Sequence, residues 1–195
     1  MVAALCAGIA QADQEFVAQC APVRPGEDTT IMLMDTDTSA LLSRLIRGQR
    51  TAALGTLRQG APLVSMVLYL PSPNFSALYL HVSRLAWHTQ DMLADPRVSL
   101  SIVQADDPGS DPQRLARVSV RGEAKPIPRD APVFAELKQS WLACFPESAI
   151  TFELADFSFF RLSPRDARFV AGFGSIHNLS VADLVAASQD GSHLP

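Results

Sequence analysis

Residues 81–100 read HVSRLAWHTQDMLADPRVSL, and this stretch predicts the end of a strand, a short helix and the start of another strand. The helix is expected over 83–94 with Ser83 as its N-cap, because a serine hydroxyl suits that position. Asp95-Pro96 then breaks the helix, and residues 97–104 (RVSLSIVQ) alternate apolar and polar side chains as a half-buried strand does. The stretch therefore predicts one helix inserted between neighbouring strands.

The rest of the chain supplies further short strands. They are predicted over 51–57, 62–70, 77–82, 115–124, 157–162 and 167–171, the last two joined by a turn at Ser163-Pro164-Arg165-Asp166. Helices are expected after a cap at Asp37 or Thr38, over 131–145, and over about 181–187. Most strands follow one another without an intervening helix, which favours antiparallel pairing. We therefore expect a mainly β fold, an antiparallel barrel of six or seven strands with a few peripheral helices.

Length and composition fit one globular domain with flanking segments. The chain has 195 residues, 48% of them hydrophobic and 18% charged, so a sizeable core is available. We expect an N-terminal appendage over 1–37, the barrel domain over 38–188 and a tail over 189–195.

Charge and cysteine usage exclude several classes of function. The net charge of −4 argues against nonspecific binding of nucleic acid, which depends on surplus Lys and Arg. No stretch has the 18 or more apolar residues that cross a bilayer, so we expect no membrane segment. The three cysteines are scattered and form no C-x-x-C, which indicates a cytoplasmic protein without a zinc site.

The predicted helix near residue 88 carries polar side chains that suit an anion. Four residues at helical spacing share its inward face, namely Leu85, His88, Thr89 and Met92. Ser83 and Arg84 lie at its start, where backbone N–H groups and the helix dipole favour a negative charge. One interpretation is a phosphate site formed by Ser83, Arg84, His88 and Thr89. The other is a capped surface helix with a core histidine.

Five blocks of the sequence stand out together: AALGTL at 52–57, PLVSMV at 62–67, S-x-L-x-x-H-T at 83–89 with DPRVSL at 95–100, RGEA at 121–124 and RFVAGFGSIH at 168–177. These blocks resemble the FMN-binding split-barrel superfamily, which includes the pyridoxamine 5′-phosphate oxidases. The likeness covers about residues 40 to 188 and is strongest to the heme-utilisation (HugZ-like) branch. One departure is Asp91, where relatives usually carry Asn.

The resemblance implies a homodimer with FMN in the groove between subunits, catalysing redox chemistry on a small molecule. The residues it assigns to the cofactor are Ser65, Met66, Val67, Ser83, Arg84, His88, Thr89 and Arg121. No residue is a persuasive general acid or base, so no catalytic residue is predicted.

The chain also departs from the true oxidases of this superfamily. Their Arg-x-x-x-Leu-Lys pattern on the second strand and their Ser-Arg-Lys phosphate cluster are absent, which disfavours oxidation of vitamin B6. The alternative that the resemblance implies is a heme-binding or heme-degrading protein, with His177 after Gly172-Phe173-Gly174 as the iron ligand. A third hypothesis is a binding dimer that has lost its cofactor.

Overall fold

The computed structural model describes residues 34–190. Most of the predicted N-terminal appendage and of the C-terminal tail therefore lies outside the described residues. The helices in this range are α1 Thr36–Gly48, α2 Trp87–Ala94, α3 Val133–Cys144 and α4 Val181–Asp190, with short 3-10 helices at Pro112–Arg114 and Pro146–Phe152. The strands are β1 Thr51–Arg58, β2 Ala61–Leu68, β3 Leu70–Pro71, β4 Leu78–Ser83, β5 Arg97–Val103, β6 Arg117–Pro126, β7 Phe157–Gly172 and β8 Ser175–Ser180.

The strands form one antiparallel sheet in the order β2-β1-β5-β6-β7-β4-β3, and β8 also pairs with β7. Strand β7 is 16 residues long and carries β4 beside its first half and β8 beside its second half, with β6 along its other edge. This is the predicted mainly β split barrel, with eight described strands instead of six or seven. The two further strands are the short β3 and the strand β8.

The turn between β1 and β2 shows how local sequence fixes the start of the sheet. Gln59 and Gly60 both have positive φ, 53° and 85°, and Arg58 pairs with Ala61 across them. Two-residue hairpin turns with positive φ at both positions match the right-handed twist of the strands, and Gly adopts that conformation without steric cost.

The core lies on the inner face of the sheet and under α1 and α4. Strand β5 alternates in burial, with Val98, Leu100 and Ile102 inside and Arg97, Ser99 and Ser101 outside. Helix α1 contributes Leu42, Leu45 and Ile46 at helical spacing. Its N-cap is Asp35, whose carboxylate accepts from the Thr38 backbone N–H at 2.7 Å. The predicted caps, Asp37 and Thr38, therefore lie inside the helix.

The predicted turn at 163–166 is wrong, because β7 runs through it without a break. Pro164 pairs with Gly122 of β6 at a register shift, and residues 163–165 lie between the segments of β7 that pair with β4 and with β8. A strand proline needs such a place, since it has no N–H to donate. A Cβ on Gly122 would lie 2.1 Å from the Ser163 carbonyl oxygen, so only glycine fits there.

The start of the helix near residue 88 also differs from the prediction. Helix α2 begins at Trp87 after Ala86, which makes no side-chain cap, and Ser83 is the last residue of β4. Leu85 precedes the helix and is 77% exposed, so it does not share the inward face with Thr89 and Met92. None of the helices in 34–190 is both long and apolar enough to cross a bilayer.

A second, aromatic cluster packs beside the barrel beneath α3. Its buried members are Leu137, Trp141, Phe145 and Phe159. His81 of β4 lies among these rings, stacked on Phe152 with ring centroids 4.1 Å apart. Its Nδ1 is 3.2 Å from Thr151 Oγ1. Burial, with a smaller contribution from the cations Arg129 and Lys138, lowers the pKa of His81 to about 4.

Candidate functional site

The outer face of the sheet has a floor of small residues across β1, β5 and β6. Ser99 lies opposite Gly55 on one side and Arg121 on the other. Ser101 lies between Ala53 and Ser119 in the same way. Residues that pair across antiparallel strands point to the same face, so these short side chains form one shallow surface.

Two adjoining depressions lie on this face, with volumes of about 690 and 410 Å³, and both are lined by Ser99 and Arg121. We call them together the outer groove. The charged residues in its lining are Arg97, Arg121, Glu123, Arg165, Asp166 and Arg168. Four guanidinium groups therefore face two carboxylates. Such a surplus of arginine suits a ligand that carries carboxylate or phosphate groups.

One carboxylate orients two of these arginines. Asp166 accepts from Arg121 Nε at 2.6 Å and from Arg165 Nε at 3.0 Å. The hydrogen bond from Arg121, with that from Arg165, lowers the pKa of Asp166. Each guanidinium donates only one N–H in these bonds, and their side chains are 63% and 71% exposed. The remaining N–H groups can therefore bind a ligand.

Arg168 extends the positive surface on β7. Its Nη1 donates to the side-chain oxygen of Asn178 at 2.9 Å, so this partner is an uncharged amide. Arg97, at the other side of the groove, is ion-paired with Asp95, whose carboxylate accepts from its Nε at 2.9 Å and from its Nη2 at 2.5 Å. The positive groups are thus spread over three neighbouring strands instead of gathered at one point.

The residues predicted to form a phosphate site are not arranged for an anion. The Ser83 hydroxyl donates to the Asp156 carboxylate, and the Arg84 backbone N–H donates to the Asp156 carbonyl oxygen at 2.7 Å. A phosphate beside Ser83 would therefore meet a negative charge. Burial lowers the pKa of His88, which disfavours the positive charge that would attract a phosphate. The Thr89 hydroxyl is fully buried, and it has no hydrogen-bond partner among residues 34–190.

The residues predicted along the flavin ring divide between the two faces of β2. Met66 is 71% exposed and pairs with Ala53, which puts it on the outer face. Val67 is 5% exposed and belongs to the core, and Ser65 pairs with the buried Leu54. Only Met66 thus shares a face with Arg121, because side chains alternate along a strand.

His177 lies on the face of β8 that is opposite to the outer groove. It pairs with Phe169, which is fully buried, whereas its neighbour Asn178 pairs with Arg168. The His177 ring is 6% exposed, and its Nε2 is 3.0 Å from Ser175 Oγ. Its Nδ1 has no hydrogen-bond partner in the described part of the chain.

Sequence reasoning missed a polar network that joins α2 to β1. The Asp91 carboxylate is buried and accepts from Thr56 Oγ1 and from Arg58 Nη1, each at 3.0 Å. The Arg58 guanidinium also lies over the ring of Trp87, 4.3 Å from its centroid. Asp91, at a position where relatives usually carry Asn, could have indicated this network, since a buried carboxylate needs a cation nearby.

This fold and face are those of a split-barrel protein. Residues 39–171 match the profile of the pyridoxamine 5′-phosphate oxidase family, and the chain belongs to that family. The match ends before the Gly172-Phe173-Gly174 turn and strand β8.

Two relatives whose function has been assigned are named as heme oxygenases. The chain is 34% identical over 131 residues to the chloroplastic heme oxygenase HOZ of Arabidopsis thaliana, covering 66% of this chain and 38% of that protein. It is 27% identical over 139 residues to the heme oxygenase HutZ of Vibrio cholerae, covering 70% of this chain and 78% of HutZ.

One similar solved structure is also named as a heme-binding protein. The heme-binding protein of Mycobacterium smegmatis superposes with a TM-score of 0.66 at 27% identity, over 84% of this chain and 62% of that one. The chain therefore spans well under half of the plant relative and less than two thirds of the mycobacterial protein.

Proposed function

We propose that this protein binds heme in the outer groove and acts in heme degradation. The observation that supports it most is the arginine surplus over a floor of small, uncharged residues. Heme is a planar macrocycle with two carboxylates, and arginine side chains bind carboxylates through charge-assisted hydrogen bonds. The likeness to two heme oxygenases adds independent support.

The residues of the groove would bind and orient the substrate. Arg121 and Arg165, both held by Asp166, would bind a propionate, and Arg97 or Arg168 would take the other. The shallow floor around Ser99 would support the ring. As the substrate, heme supplies its own iron for chemistry with oxygen, while the protein supplies position and electrostatics.

The resemblance also led us to expect FMN as the cofactor. Binding of FMN is supported only by membership of the family. The phosphate fits poorly at the residues expected to hold it, because the Ser83 hydroxyl donates to Asp156 and burial lowers the pKa of His88. We therefore expect added FMN to leave the flavin absorption spectrum unchanged in the presence of the protein. A shifted and structured flavin spectrum at stoichiometric protein would favour the flavoprotein hypothesis instead.

We also propose that a second copy of the chain covers the outer face. Val64 and Met66 leave 69% and 71% of their surface exposed there, which is unusual for large apolar side chains on a strand. Light scattering should give twice the chain mass of 21.0 kDa. Met66→Lys should shift the protein towards the monomer, and Leu93→Lys on α2, also an exposed apolar residue, should not.

The heme proposal is tested by titrating the purified protein with hemin and following the Soret band. Replacing both Arg121 and Arg168 with Gln should weaken binding about tenfold or more, since each removes a charge-assisted hydrogen bond. Arg84→Gln is the matched control, because Arg84 is an exposed arginine outside the groove. A loss of affinity in Arg84→Gln alone would move the site to the segment before α2.

Degradation is tested with the hemin complex in air and ascorbate as the reductant. The Soret band should decay while iron becomes available to a chelator such as ferrozine. A stable Soret band under these conditions would restrict the function to heme binding.

A further inference from the structure

We propose, building on the proposed heme site, that Val103, Ile176 and Phe173 form a subsite for the apolar edge of the tetrapyrrole. Heme carries its two propionates on one edge and methyl and vinyl groups on the rest of the ring. The outer face has a matching division, with arginines at one end and exposed apolar side chains at the other, which we call the apolar end. This division fixes the direction in which heme lies along the strands.

Two of the three residues belong to one row of side chains across the sheet. Val103 of β5 pairs with Arg117 of β6. Arg117 also pairs with Val170 of β7, which pairs with Ile176 of β8. Ile176 is two residues from Asn178 of the groove lining, and residues two apart on a strand share a face. Val103 and Ile176 leave 44% and 45% of their surface exposed, so the row offers apolar contact on the outer face.

The charged member of this row is held by the backbone of a neighbouring segment. Arg117 Nη1 donates to the carbonyl oxygen of Leu115 at 3.2 Å and to that of Gln113 at 3.4 Å. Its aliphatic stem can still add to the apolar contact. Arg121, four residues further along β6, is instead bonded to Asp166 and lines the groove. The two arginines therefore belong to different parts of the outer face.

Phe173 extends the apolar end at the tip of the β7–β8 hairpin. It is 79% exposed, the highest value among the large apolar side chains of residues 34–190. Gly172 and Gly174 on either side have φ values of 147° and 81°, a conformation that glycine adopts without steric cost. Exposed apolar side chains that gather beside polar residues are typical of a binding surface.

Strand β5 shows the whole division along one line. Arg97, Ser99, Ser101 and Val103 alternate with buried residues on this strand and therefore share its outer face. Arg97 and Val103 are six residues apart, about 20 Å at the rise of a strand, and the long arginine side chain covers part of that distance. A ring over the two serines would thus reach an arginine with its propionate edge and Val103 with its opposite edge.

The experiment uses four iron porphyrins that share the ring, the iron and the propionates but differ at the two vinyl positions. Hemin has vinyl groups there, mesohemin ethyl groups, deuterohemin hydrogen atoms and hematohemin hydroxyethyl groups. Each is titrated into the full-length protein and followed by its Soret band. Phe173→Ala should weaken the binding of hemin and mesohemin about fivefold or more, and that of hematohemin less than about twofold, because the lost contact is apolar.

A second variant and a control accompany this comparison. Val103→Ser changes the other side of the apolar end and should give the same ranking of the ligands. Ile150→Ala is the matched control, because Ile150 is a 66% exposed apolar residue on the 3-10 helix Pro146–Phe152, outside the groove. It should leave all four affinities unchanged. Comparing each variant with the unmodified protein for the same ligand cancels the differences between the ligands in water.

The outcomes separate this inference from the heme proposal itself. If the ligands bind but Phe173→Ala and Val103→Ser weaken all four equally, or none, the inference is overturned while heme binding stands. Equal weakening together with a fall to the monomer mass in light scattering would assign these residues to the contact between two copies, which also overturns it. If none of the four ligands binds the unmodified protein, both proposals fail. Should one variant not fold, the other still decides.

Discussion

The side chains of Arg168 and Asn178 are joined across β7 and β8, with Arg168 Nη1 2.9 Å from Asn178 Oδ1. This bond lies on the outer face, and the next pair along the strands, Phe169 and His177, lies in the core. The register that places Asn178 at the groove therefore also withdraws His177 from it. Two residues that are adjacent in sequence belong to different regions of the molecule.

Removing the Asp91 carboxylate should destabilise the fold. Asp91→Ala leaves the buried Thr56 hydroxyl and the half-buried Arg58 without their acceptor, at an expected cost of about 2–4 kcal/mol in the free energy of unfolding. Asp91→Asn keeps an acceptor oxygen and should cost less than half as much. Urea unfolding measures both, with Asp106→Ala, at an exposed aspartate in the loop after β5, as the control. Equal losses in the two Asp91 variants would contradict this account.

The buried hydroxyl of Thr89 predicts a stabilising substitution. It is fully buried and has no hydrogen-bond partner among the described residues, so its burial is uncompensated. Thr89→Val keeps the shape of the side chain and should raise the free energy of unfolding by about 1 kcal/mol. A fall of 1 kcal/mol or more in the free energy of unfolding, or weaker hemin binding, would contradict this prediction. Either result would mean that the Thr89 hydroxyl makes a stabilising hydrogen bond.

Gly122 lies so close to the backbone of Ser163 that we expect this position to tolerate no side chain. A Cβ there would lie 2.1 Å from the Ser163 carbonyl oxygen, so Gly122→Ala must displace backbone at the β6–β7 bulge. We expect a loss of about 1–3 kcal/mol in stability, typical of overpacking. Gly109→Ala is the matched control, because a Cβ at that glycine meets nothing within 4 Å. Similar stabilities of the two variants would refute the close contact.

His81 predicts that acid weakens the folded state. The unfolded chain takes up a proton with a pKa near 6.5, whereas the folded chain does so only near pH 4. The folded state therefore binds fewer protons between these values, and stability falls as the pH falls from about 6.5 to about 4. The expected loss from this one group is about 2–4 kcal/mol.

A substitution isolates the contribution of His81 from that of the carboxylates, which also titrate in acid. His81→Phe suits the surrounding rings of Phe152, Phe157 and Phe159 and cannot take up a proton. Urea unfolding between pH 4.5 and 7.5 should show a shallower pH dependence in this variant. Parallel curves for the two proteins would mean that the pKa of His81 is unshifted.

Much of the fold follows from local sequence. Strands β1 and β5 alternate in burial, and the turn at Gln59-Gly60 depends on two neighbouring residues, so these parts are encoded close together in the chain. The sequence predicts two strands in place of β7, because Ser163-Pro164-Arg165-Asp166 has the composition of a turn. The continuity of β7 depends on Gly122, about 40 residues earlier, which no local pattern encodes.

The site was harder to predict, because its contacts are distant in sequence. Arg121 was identified by resemblance, but its partner Asp166 lies 45 residues further on. The local sequence predicts Ser83 to be a helix cap, but its hydroxyl donates to Asp156, which is 73 residues away in the chain. His177 follows a glycine-rich turn that suggested a ligand loop, and only the register of β8 reveals that its side chain points into the core.

The central claim is that heme lies on the outer face of the sheet, and the most direct test is the anomalous diffraction of iron in crystals of the hemin complex. We predict an iron peak over Ser99 and Arg121, with the propionates on the groove arginines. An iron atom bonded to His177, or located at the segment from Ser83 to Thr89, would contradict the account.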